Sequence, residues 1–149
     1  EPIGELRPEK KDDWFGEDVV FSADGSWLAV GAERAVQIYR REGNTFTPFK
    51  RLTAPPDPSI GHFGERLAFS ADGRSLLVAA PRSVCADGLG ERCGLALLYW
   101  LKNGFWQLEA TLRPGIERPE ASFSHQIALD ADGDRVAVQG QALHVFSRP

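Results

Sequence analysis

Methionine is absent from the 149 residues, cysteine and tyrosine each occur twice, and histidine occurs three times. With no Met, the start of translation is taken to have been removed. Glu1-Pro2 is expected either to follow a cleaved signal peptide or to mark a boundary inside a longer protein. No apolar run approaches the roughly 18–20 residues that a spanning helix requires, so no membrane span is expected. A net charge of −4, with no basic run longer than a pair such as Arg40-Arg41, speaks against nucleic acid, because phosphate binding needs a dense positive surface. A Gly-rich phosphate loop and a Gly-x-Ser-x-Gly elbow are also missing. What remains is an ordinary globular composition, 42% hydrophobic and 26% charged, in a chain of single-domain length.

The two cysteines bound one short stretch, Cys85-Ala-Asp-Gly-Leu-Gly-Glu-Arg-Cys93. A lone pair lacks the further ligands of a zinc site, and its spacing is not that of a Cys-x-x-Cys redox motif. The expectation is a disulfide between Cys85 and Cys93, made in an oxidising compartment, so the protein is read as secreted, periplasmic or on the cell surface. Closing so short a loop contributes about 2–3 kcal/mol.

The chain repeats itself. Phe15-Gly16-Glu17-Asp18-Val19-Val20-Phe21-Ser22-Ala23-Asp24-Gly25 recurs as Phe63-Gly64-Glu65-Arg66-Leu67-Ala68-Phe69-Ser70-Ala71-Asp72-Gly73. A more divergent copy runs from Phe123-Ser124-His125 to Asp132-Gly133. The intervals are 48 and 60 residues, and the 12 extra residues fall where both cysteines lie, which reads as a loop insertion. Each Ala-Asp-Gly is a hairpin signal, since Asp-Gly tolerates the positive φ of a tight two-residue turn. A small-apolar strand follows each turn, then a third strand carrying Tyr39, Tyr99 or Phe146. A fourth strand is read from Phe105 to Leu112, where Trp106, Leu108, Ala110 and Leu112 alternate with polar residues. Its counterpart, Phe46 to Leu52, contains Pro48, which removes a ladder donor and so belongs on a sheet edge. Four short strands per repeat, with no helical periodicity, predict an all-β β-propeller with three four-stranded blades. The blades are expected at about 15–54, 63–114 and 123–149.

These motifs resemble the FG-GAP repeats of integrin α-subunits and their bacterial relatives. The resemblance rests on Phe-Gly before the first strand, Asp-Gly in the turn and Leu28-Ala-Val-Gly-Ala32 in the second strand, with Tyr99, Trp106 and Leu112 matching the bacterial form. It covers nearly the whole chain. It implies an adhesion or protein-recognition role, and in many members a calcium loop of the Asp-x-Asp/Asn-x-Asp-Gly-x-x-Asp kind. Calcium takes about six to eight oxygens. Copies one and two keep only Asp24 and Asp72, and Asp130, Asp132 and Asp134 of copy three are the weak candidates for a metal, so neither a metal nor another cofactor is expected.

Copy three stops after its third strand, while Glu5-Leu6-Arg7-Pro8 matches the end of a fourth strand, Thr111-Leu112-Arg113-Pro114. Residues 1–8 are therefore expected to complete a last blade, and a two-fold homodimer would then close a six-bladed ring. His62, His125 and His144 sit in unlike places, and no catalytic residue is expected among them. The expected function is a non-catalytic binding module for an unidentified protein or glycan. Its ligand would meet the stapled loop through Arg82, Asp87, Glu91 and Arg92. The alternatives are a lectin using Trp14, Trp27, Trp100 and Trp106, and a structural scaffold or a fragment of a longer propeller.

Overall fold

A computed structural model describes residues 4–8, 14–87, 90–115 and 123–148. Among them are eleven strands in three antiparallel meanders. The first sheet holds β1 (Val19–Phe21), β2 (Trp27–Ala32), β3 (Ala35–Glu42) and β4 (Thr45–Thr53) in that order. The second holds β5 (Arg66–Phe69), β6 (Ser75–Ala80), β7 (Leu95–Lys102) and β8 (Phe105–Leu112). The third has β9 (Ile127–Leu129), β10 (Arg135–Gln139) and β11 (Leu143–Ser147). The repeat is therefore one sheet long, and the first strands β1, β5 and β9 lie beside one another.

Pro48 lies in the edge strand β4, opposite Tyr39 at a break in register between Ile38 and Tyr39. The second sheet breaks at the same place, between Leu98 and Tyr99, so the irregularity belongs to the repeat rather than to the proline. The Asp-Gly turn differs from the expected two-residue hairpin. Ser22 and Trp27 close a four-residue loop, in which Gly25 donates its amide to the Ser22 carbonyl and is the residue at positive φ, 67°. Asp24 stays on the ordinary side of φ, and its carboxylate bonds within the turn. Its Oδ1 accepts from the Ser22 hydroxyl (2.7 Å) and the Ser26 amide (3.0 Å). Asp72 repeats this with Ser70 and Arg74.

The core forms between sheets. On β6, Leu76, Val78 and Ala80 face the first sheet, joining Ala29, Val36, Ile38 and Phe63, while Leu77 faces the third with Val136, Val138 and Phe123. Every residue of β6 is buried. Burying a side chain of this size contributes about 1.5–3 kcal/mol, so a strand covered on both faces anchors the whole stack. Trp27 and Trp106 meet edge to face across the first interface, at 6.1 Å between ring centres. The Phe-Gly motif has its reason here as well. A Cβ on Gly64 would stand 2.7 Å from the Ala35 carbonyl oxygen, and one on Gly31 would strike the Gly64 carbonyl, so backbones from successive sheets touch where only glycine fits.

The outer faces of the first and third sheets have no further sheet against them among the described residues. Leu28, Val30 and Tyr39 of the first are met by Leu6, Phe15 and Phe46, and residues 4–8 lie there without forming a strand. On the third sheet Leu143 and Val145 stand exposed. The remainder of the proposed 1–8 strand lies outside the described residues. Cys85 and Cys93 are joined, with Cα atoms 5.0 Å apart, in the insertion between β6 and β7. No helix among the described residues is long and apolar enough to cross a membrane.

Candidate functional site

In each repeat the residue after Phe-Gly (Phe-Ser in the third) lies one or two positions before the innermost strand, and in all three it is titratable: Glu17, Glu65 and His125. Because β1, β5 and β9 are neighbours, these positions approach one another at one end of the stack. His125 Nδ1 lies 3.9 Å from Glu65 Oε1. From the turn before β5, His62 Nδ1 lies 3.3 Å from Glu65 Oε2, and Arg82 Nε stands 3.9 Å from the same oxygen. Ligand atoms of Glu17, His62 and Glu65 all fall within 4.8 Å of one another. A cleft of about 340 Å³ opens beside them, lined by Trp14, Glu17, Glu33, His62 and Arg82.

Local backbone geometry places these groups. Trp14 and His62 occupy the same repeat position and both sit at positive φ, 46° and 55°. Gly16 and Gly64 follow at 95° and 100°, and Ser124 takes 70° where the first two copies have glycine. Non-glycine residues in this region carry strain that persists only where the surroundings hold them. For Ser124 the hold is visible: its hydroxyl donates to the Leu95 carbonyl at 2.7 Å. Asp18 ties the first two sheets together nearby, its Oδ2 accepting from the Leu67 amide at 2.7 Å.

Glu65 is nine-tenths buried, and its Oε2 has no hydrogen-bond partner. Leaving a buried carboxylate oxygen unpaired is costly, so the site is built with unused acceptor capacity. Burial pushes the Glu17 carboxyl above its ordinary range and the charge of Glu65 adds to this, against the pull of His62, Arg66 and Arg82. A half-buried carboxyl that holds its proton more readily, beside a second carboxylate and an imidazole, is equipped to move protons.

The residues expected to matter from sequence fall in several places. Arg82 joins the cluster. Asp87, Glu91 and Arg92 are exposed on the stapled insertion, which the Val84–Arg92 bridge narrows, and the structure does not bring them to Glu65. Residues 88–89 of that loop lie outside the described residues. Asp130 and Asp132 spend Oδ1 on the amides of Arg135 and Asp134, and the Arg135 amide holds the Asp130 carboxyl below its usual range. Asp134 faces Arg148 at 3.9 Å. That loop is an internally bonded turn beside two arginines, the same device as at Asp24 and Asp72. His62 and His125, read as unrelated, meet at one carboxylate, whereas His144 packs against the Phe123 ring at 5.3 Å. The signal for the site was present in the aligned column Glu17, Glu65, His125.

No family model matches the chain, and no curated protein matches it by sequence. Solved structures do match. A candidate 6-phosphogluconolactonase from Bacteroides uniformis superposes over 94% of this chain with a TM-score of 0.65 at 13% identity. A second, from Bacteroides fragilis, covers 89% with a TM-score of 0.62 at 14% identity. The β-propeller domain of Cps50 (Swd1) from Myceliophteria thermophila, at 14% identity over 93% of this chain and 55% of that one, superposes too loosely to bear on the fold (TM-score 0.39). This chain spans 38% and 34% of the length of the two lactonase-named neighbours. At such identities the likeness shows the fold, which is all-β and β-propeller-like. It also corrects the expected function. The non-catalytic binding module was inferred from the company the fold was thought to keep, and the structures that share the fold carry the names of enzymes. The expected absence of catalysis is left without support by these two neighbours.

Proposed function

We propose that the chain forms part of a hydrolase that opens a lactone or related ester at the Glu17–His62–Glu65 cluster. The observation that carries this reading is the convergence of Glu17 and His62 on a buried carboxylate oxygen of Glu65 that accepts no hydrogen bond. In the proposed reaction, water attacks the acyl carbon and gives up a proton to the Glu17–His62–Glu65 cluster. The ring C–O bond breaks, and the cluster passes that proton to the leaving oxygen, giving a hydroxy acid. Arg82 faces the charge that develops on the carbonyl oxygen. The fold likeness to lactonase-named proteins favours this class over other hydrolyses. The test is pH-stat turnover of a panel of aldonolactones and simple esters by the purified chain and by His62→Asn. Turnover above buffer that falls by about 10²-fold or more in the variant supports the reading. A rate no higher than buffer across the panel would overturn it.

We further propose that the repeats are of the FG-GAP kind, that each sheet is a propeller blade, and that a second copy of the chain closes the ring. Two facts support the second copy. Both outer sheets present exposed apolar side chains, Phe21 at one end and Leu143 and Val145 at the other. Residues 4–8 lie against the outer face of the first sheet, which in the proposed ring would adjoin the partner's third sheet. The Cys85–Cys93 bond supports a secreted, periplasmic or surface location. Light scattering is expected to give about 33 kDa, twice the 16.4 kDa chain. A chain monomeric at every concentration would rule out the shared ring.

A further inference from the structure

We infer that the Glu17–His62–Glu65 cluster binds one divalent transition-metal ion, of the zinc or manganese class. Three observations combine. The ligand atoms lie within 4.8 Å of one another, a separation a single ion can bridge. Glu65 is nine-tenths buried and its Oε2, pointing into the cluster, lacks a hydrogen-bond partner, since His62 Nδ1 at 3.3 Å does not meet the geometry of one. Three carboxylates, Glu17, Glu65 and Glu33, stand against two guanidinium groups, Arg66 and Arg82, and Arg82 is half exposed and 3.9 Å from Oε2.

The ligand set selects the metal. Two carboxylates and one imidazole form a mixed oxygen and nitrogen donor set with space for water, which suits zinc or manganese. Calcium requires more oxygens than the cluster supplies. His125, 3.9 Å from the other Glu65 oxygen, orients that carboxylate from the far side. The site lies in the turns before β1 and β5, away from the Asp130–Asp134 loop, so the two can be separated by mutation. Both cysteines are bonded to each other and offer no competing thiolate.

The inference concerns the same residues as the proposed hydrolysis but does not depend on turnover. The experiment is calorimetric titration of the chelator-stripped protein with Zn²⁺, Mn²⁺ and Ca²⁺, without substrate. One Zn²⁺ or Mn²⁺ per chain is expected, at a Kd below about 100 μM. Glu65→Gln and Glu17→Gln should each weaken it by about 10-fold or more, and Asp132→Asn should leave it unchanged. Glu17 is only half buried, so its variant remains informative if Glu65→Gln fails to fold. Nitrogen coupling from an imidazole in the pulsed electron paramagnetic resonance of bound Mn²⁺ should vanish in His62→Ala. No binding in that range, equal binding by the glutamate variants, or calcium preferred over zinc would overturn the inference. Metal binding without lactone turnover would overturn the hydrolase reading alone.

Discussion

The second sheet and the third come from the same repeat, yet only the second is covered on both faces. In β6 the odd and even side chains go to two different cores, whereas in β10 and β11 one set is buried and the other, with Leu143 and Val145, is left in the open. The difference shows that a repeat of this kind does not complete its own core. Each sheet is finished by its neighbours, and those at the ends need something further. It also shows why the titratable cluster sits between the first and second sheets. Only where sheets pack do the starts of successive inner strands come together.

The comparison can be broken by truncating equivalent apolar positions. Leu77→Ala, in the fully covered sheet, should cost about 2–5 kcal/mol in urea unfolding. Val145→Ala should change the isolated chain by no more than about 0.5 kcal/mol. A large loss at Val145 would mean that its face is covered in solution, and the loss should then depend on protein concentration.

Glycines provide a finer contrast. Gly64 and Gly16 hold the same repeat position and nearly the same φ, but a Cβ on Gly64 meets the backbone of the preceding sheet while one on Gly16 meets nothing within 4 Å. Gly16→Ala should therefore lose about 1 kcal/mol, from backbone conformation alone. Gly64→Ala should lose more, measured as a lower Tm. Equal losses would show that the close approach between sheets is not what the Phe-Gly motif preserves.

The smallest effect concerns the turns. The Asp24 carboxyl is held down to about 2, chiefly by the Ser22 hydroxyl and then by the Ser26 amide and hydroxyl. Its folded pKa lies below the unfolded value, so its contribution is present above about 3.8 and is lost as pH falls toward 2. Ser22→Ala should raise the Asp24 pKa, read by NMR titration, and move that loss to higher pH. An unchanged titration would remove the hydroxyl as its cause.

Much of the fold was legible in the sequence because it is local. Strand alternation, the Asp-Gly turns, Pro48 on an edge and the Cys85–Cys93 pair are decided by residues close in the chain or by a repeat that can be aligned by eye. The site was less legible, for a physical reason. Glu17 and Glu65 are 48 residues apart, and their approach depends on how one sheet rotates onto the next, which no window of sequence encodes. The acidic run at Asp130 looked more like a site than the dispersed column did. Acidic runs in turns, however, are used up by the turn's own amides, as Asp130 and Asp132 are.

The most direct measurement sets these two places against each other, with aldonolactone hydrolysis compared in the parent chain, Glu65→Gln and Asp132→Asn. The account predicts a rate that falls by about 10²-fold or more in Glu65→Gln and is kept in Asp132→Asn. A rate kept in Glu65→Gln and lost in Asp132→Asn would contradict it.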